Sequence, residues 1–160
     1  MPVESPLERP AWLTQSIPCG IRLEQSKDVN RDYGIALHAL LDAATSGAEW
    51  VGDAQLIAHA KAILSAPHLA KFFDANRYLS ASNEVSILSA EGMLLRVDRL
   101  VEFADHVWVL DYKSARSDTA VMTEYREQLR DYRRAVEDIF PHKPVRCGLI
   151  FGDAVLNEVT

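Results

Sequence analysis

A stretch that is apolar at every position and then ends on alternating charges has few places to sit in a folded chain. Val107-Trp108-Val109-Leu110 is such a stretch, and it closes on Asp111-Tyr112-Lys113. A strand that is apolar on both faces belongs in the middle of a sheet with a layer packed on each side. Side chains alternate along a strand, so Asp111 and Lys113 share one face at its end. Asp98 stands on the preceding apolar segment, residues 93–103, and Ala104-Asp105 joins the two as a tight connection. If these strands pair, Asp98, Asp111 and Lys113 converge. Two carboxylates beside one ammonium suit a hard divalent cation and the phosphate oxygens that such a cation attracts.

The remaining pattern supplies layers for that sheet. Periodicity turns helical from Asp28, with Tyr33, Leu37, Leu40, Leu41 and Ala44 at three- and four-residue spacing up to Ser46-Gly47. A second helix follows Asp53, a suitable N-cap, and stops at Pro67; a short third one uses Leu69, Phe72 and Phe73. Segments 81–88, 93–103 and 106–112 read as an antiparallel meander. A long helix over 119–140 carries the stripe Met122, Tyr125, Leu129, Tyr132, Val136, Ile139 and is stopped by Pro141. Segment 145–151 reads as a buried strand, made parallel to its predecessor by a right-handed crossover, and 154–159 as a last short strand. The expected class is α/β, a mixed sheet of meander plus βαβ crossover flanked by helices. Residues 1–27, marked by Pro2, Pro6, Pro10 and Pro18, read as a linker or N-terminal extension, and 28–160 as one domain.

Composition narrows the function classes. The 160 residues are 48% apolar and 25% charged, ordinary for a globular domain. No apolar segment is long enough to span a bilayer and the N-terminus lacks a secretory pattern, so a cytoplasmic protein without a membrane partner is expected. Cys19 and Cys147 are too few and too far apart for a disulfide framework or an iron–sulfur cluster. The net charge of −6 disfavours affinity gained by wrapping phosphates, so weak DNA binding by the isolated domain is expected.

Five ordered signals then act together: Gly34-Ile35-Ala36-Leu37-His38 in the first helix, Glu84 early in the meander, Val97-Asp98-Arg99, Asp111-Tyr112-Lys113-Ser114, and Tyr125-x-x-Gln128-x-x-x-Tyr132 in the long helix. Over roughly residues 28–152 this order resembles the PD-(D/E)XK nuclease superfamily, in its RecB-type branch, which includes the C-terminal nuclease domains of AddA-, RecB- and UvrD-like helicase-nucleases. The resemblance implies a restriction-endonuclease-like core. It also implies Mg²⁺ or Mn²⁺ held by His38, Asp98, Asp111 and the backbone carbonyl of Tyr112, and Lys113 beside the attacking water. Glu84 would bind metal through water or hold Lys113, with an exposed strand acid as its plain alternative. Gln128 and Tyr132 share a helix face and would position Lys113 or the nucleic-acid backbone. Tyr125 and Tyr132 also fall on the apolar stripe, and for Tyr125 packing is the reading adopted. His59, His68, His106 and His142 receive no role. Arg126, Arg130, Arg133 and Arg134 read as a solvated face paired with Glu124, Glu127 and Asp131, or as a guide for a strand.

The implied function is phosphodiester hydrolysis on DNA, single strands foremost, by an exonuclease attached to or associated with a superfamily-one helicase in double-strand break repair and recombination. Two rivals stand beside it: a catalytically degenerate nuclease fold used for DNA binding or scaffolding, and an unrelated acidic α/β domain. The second would be favoured by a wide separation of His38, Asp98 and Asp111.

Overall fold

A computed structural model of the chain describes residues 22–114, 116–117 and 122–160. Its elements follow in the order α1 (Arg22–Ser46), α2 (Ala54–Ser65), a 3₁₀ turn (Ala70–Phe72), β1 (Ser80–Leu88), β2 (Leu94–Glu102), β3 (Val107–Lys113), α3 (Met122–Ile139), β4 (Val145–Phe151) and β5 (Leu156–Val159). The five strands form one sheet in the order β1-β2-β3-β4-β5. β1, β2 and β3 are antiparallel neighbours, β3 and β4 are parallel across the α3 connection, and β5 returns antiparallel to β4. This is an α/β domain with a five-stranded mixed sheet flanked by helices. The apolar run at 107–110 is the central strand, buried along both faces up to Tyr112.

Two cores lie on opposite faces of the sheet. Val107 and Val109 join Cys147, Leu149 and Phe151 against Leu129, Tyr132, Ala135 and Val136 of α3. Trp108, Leu110 and Tyr112 meet Leu37, Leu40 and Leu41 of α1 and Leu56, Ala60 and Ile63 of α2 on the other face. Strand alternation therefore delivers Asp111 and Lys113 to the α3 side.

Several boundaries shifted for identifiable reasons. α1 begins by Arg22, six residues before the expected start at Asp28, so residues 22–27 are helical rather than part of an extended leader. The leader's remainder, residues 1–21, and the expected first residues of the long helix, 119–121, lie outside the described residues. Gly47 at φ 77° ends α1, and Asp53 caps α2 by accepting the Leu56 N–H at 2.8 Å. The last strand starts at Leu156 instead of residue 154 because Ala154, at φ 60°, is still in the turn and donates its N–H to the Phe151 carbonyl.

The β1–β2 ribbon contains the fold's main irregularity. Pairing runs regularly through Asn83↔Arg99 and Val85↔Val97 but skips the position where Glu84 would face Asp98, and Glu84 is left-handed at φ 51°. Odd-numbered residues before that break, Ala81 and Val101, pack with the α1–α2 core. Those beyond it, Val85, Ile87, Leu95 and Val97, pack with the α3 core. The ribbon thus turns over at Glu84 and Asp98 and curls onto α3. In step with this, β2 pairs with β3 only from Arg99 to Glu102. The sheet forks at Asp98.

Among the described residues, no helix is long and apolar enough to cross a membrane.

Candidate metal centre

The fork explains how residues from both helical layers meet. One step beyond the last β2–β3 pair, Arg99↔Leu110, Asp98 stands opposite Asp111. Where β2 has ceased to pair with β3, the Tyr112 N–H donates instead to Asp98 Oδ2 at 2.7 Å. His38 arrives from α1 on the other side. Its Nε2 lies 3.0 Å from the Tyr112 carbonyl, to which it donates, and its Nδ1 lies 3.6 Å from Asp98 Oδ1. The close seating of α1 rests on Gly34, where a Cβ would come within 3.2 Å of the Ser114 hydroxyl.

The lysine half is built on α3. Lys113 Nζ is 2.6 Å from Asp111 Oδ2, donates to Gln128 Oε1 at 3.2 Å, and sits 4.5 Å from the centre of the Tyr125 ring. Gln128 in turn donates to the Tyr132 hydroxyl at 2.7 Å. Tyr125, read from the sequence as packing alone, both packs against the core and supports the ammonium through its ring face.

The two acids of the fork are met unequally. Asp111 is only 3% exposed, and its Oδ2 is held by the Lys113 ammonium at 2.6 Å. Asp98 is pushed up from 3.8 to about 6, first by burial and then by the neighbouring Asp111 carboxylate; His38 and the Tyr112 N–H act in the opposite direction. A buried carboxylate facing a half-buried one is costly unless a proton or a cation sits between them.

This donor set fits a divalent cation. It offers two carboxylates, a backbone carbonyl and an imidazole; His38, Asp98 and Tyr112 line a cleft of about 10 Å³, room for one water-sized particle, and Asp111 stands opposite Asp98 outside that lining. The 3.0 Å between His38 Nε2 and the Tyr112 carbonyl matches adjacent ligands of an octahedral ion with bonds of about 2.1 Å. Among the described residues, no three His, Cys, Asp or Glu side chains form a ready cation cage. The donors here hydrogen-bond to one another, and one of them is a main-chain carbonyl.

The other expected residues divide. Glu84 lines the cleft, but its left-handed backbone directs the carboxylate to a salt bridge with Arg96, away from Lys113. His59 bonds to the Tyr33 hydroxyl, His68 donates to the Ala154 carbonyl and His106 pairs with Asp105, all outside the site. Sequence reasoning missed Asp42 and the network behind it. Asn83 donates to Asp42 Oδ1 at 2.8 Å and to Thr45 Oγ1 at 2.6 Å, and accepts from Arg99 at 2.5 Å. Arg99 is 2% exposed and also donates to the Phe72 carbonyl. The four-residue step from His38 to Asp42 was the available signal, since both fall on the same face of α1.

No family model matches this chain, and no curated protein matches it.

Proposed function

We propose that this domain is a metal-dependent DNA nuclease of the PD-(D/E)XK superfamily, RecB-type, with a restriction-endonuclease-like core. The reading includes exonuclease action on single strands and service to a superfamily-one helicase in double-strand break repair and recombination. The observation that supports it most is the apposition of Asp98 and Asp111 at the fork, with Asp111 buried and the Lys113 ammonium paired to it. His38, Asp98, Asp111 and the Tyr112 carbonyl would hold Mg²⁺ or Mn²⁺. When bound, the ion supplies a water of lowered pKa and neutralises charge on the phosphodiester.

The chain's own residues do the rest. Asp98 and Asp111 bring two carboxylates to one point, with the Tyr112 N–H on Asp98 and the Lys113 ammonium on Asp111. Gln128, fixed by Tyr132, and the Tyr125 ring hold the Lys113 ammonium on the side of Asp111. An ammonium fixed there is placed to donate to a phosphate oxygen and to offset the negative charge that grows on it as water attacks. Preorientation matters because the donor then need not reorganise during the reaction.

Incubation of linear single-stranded DNA with the domain and Mg²⁺ or Mn²⁺, with Asp111→Ala and Lys113→Ala as controls, tests this. Cleavage by the wild type well above both controls is expected. A wild type that matches its controls would overturn the enzyme reading, and binding without cleavage would leave a DNA-binding or scaffolding module.

A further inference from the structure

The long helix carries charge in a pattern the proposed chemistry does not use. Its 3.6-residue repeat puts Arg126, Arg130 and Arg133 on one flank and Glu124, Glu127, Asp131 and Asp138 on the other, with Glu137 alone among the arginines. The contacts agree with this division. Arg133 donates to the Val159 carbonyl of β5 at 3.0 Å. Asp131 and Asp138, by contrast, line a groove of about 210 Å³ with Glu91 and Met93 at the β1–β2 turn, and Arg134 sits at the ridge between the flanks, bordering that groove.

The expectation that these arginines are neutralised by the acids of the same helix is not met. Among the described residues, Arg126 and Arg130 make no ion pair, and both are exposed. Like charges four residues apart cost a helix about 0.2–0.5 kcal/mol per pair, so an Arg126–Arg130 row is not there for the helix's own stability. The row starts at the site's end of α3: Arg126 follows Tyr125, whose ring supports Lys113, one step further round the helix. Its step along the helix axis is about 6 Å, similar to one nucleotide of an extended strand.

We infer that the β5-facing flank of α3, through Arg126, Arg130 and Arg133, is the path along which the phosphate backbone of a single strand leads to the Asp98–Asp111 centre. The acidic flank repels the same strand and so fixes the side on which it lies. This rests on the nuclease reading for what happens at the end of the path, but not for binding along it. It also accounts for how an acidic chain can hold a polyanion: the positive charge is concentrated on one flank of one helix.

Anisotropy of a fluorescein-labelled oligothymidylate, with EDTA present so that no cleavage occurs, tests the path. The wild type is expected to bind at low ionic strength. Arg126→Gln/Arg130→Gln should weaken binding about tenfold or more and lower the slope of log K against log salt by about 1.4, at 0.7 per neutralised phosphate. Arg126→Lys/Arg130→Lys should keep the slope, since counterion release depends on charge. Glu124→Gln/Glu127→Gln should bind as tightly as the wild type or tighter. An unchanged slope in the glutamine variant, no binding by the wild type, or equal competition by polyglutamate, which would assign the row to acidic proteins, each overturns the path. A lowered slope together with no cleavage in Mg²⁺ would keep the path and sink the nuclease reading. Cleavage by the wild type with the slope unchanged in the glutamine variant would do the reverse.

Discussion

The two halves of the candidate site are finished to different degrees. On the α3 side Lys113 is held by an ion pair, a hydrogen bond and an aromatic face, and its hydrogen-bond partner Gln128 is itself held by Tyr132. On the fork side Asp98 sits with its acidity weakened, half-buried and opposite the Asp111 carboxylate. Groups that must only point are already fixed. On the proposed reading, the acids that would receive a cation face each other, and burial beside Asp111 disfavours the charge of Asp98. An arrangement serving stability alone would have satisfied both halves or replaced the acids with apolar side chains.

Substitutions can separate the halves. Asp111→Ala should have the largest effect, lowering cleavage at least 10³-fold in a single-strand assay and abolishing cation binding, since it removes a carboxylate that nothing else replaces. Lys113→Ala should lower kcat about 10²- to 10³-fold while cation affinity is kept or raised, because a positive charge next to the ion is gone. Loss of cation binding in that variant would mean that the halves are one unit. Gln128→Leu should cost about tenfold in kcat with KM little changed, a positioning effect read from steady-state kinetics.

The smallest effect is on stability. Asp98 has a folded value of about 6 against an ordinary 3.8, so its favourable contribution is complete below about pH 4 and is lost as pH rises through 6 in the cation-free domain. Asp98→Asn keeps an oxygen for the Tyr112 N–H while removing the charge. It should flatten that pH dependence and raise the melting temperature at neutral pH by about 3 °C. A variant that melts with the wild-type pH dependence would show that the acid half carries no unmet charge.

Much of this arrangement was legible in the chain. The unbroken apolar character of 107–110 gave the central strand, and the two-residue step from Asp111 to Lys113 gave their common face. The close packing of α1 was signalled by Gly34 one turn before His38. What escaped lies in geometry that no local pattern encodes. The left-handed backbone at Glu84 goes with a side chain paired to Arg96 rather than to Lys113, an outcome invisible in residue type. Arg99, whose residue type suggests a surface position, is buried where the ribbon turns over, with its guanidinium on Asn83, which in turn donates to Asp42. The segregation of charge on α3 was also hidden, since arginines and acids alternate along the sequence and part only when wound on a helix.

The most direct measurement is calorimetric titration of Mn²⁺ into the wild-type domain and into Asp98→Asn and Asp111→Asn at neutral pH. Saturable binding by the wild type, lost in both variants, is the result expected if the forked sheet seats a cation between two opposed carboxylates. Absence of binding to the wild type, or equal binding to all three proteins, would contradict it.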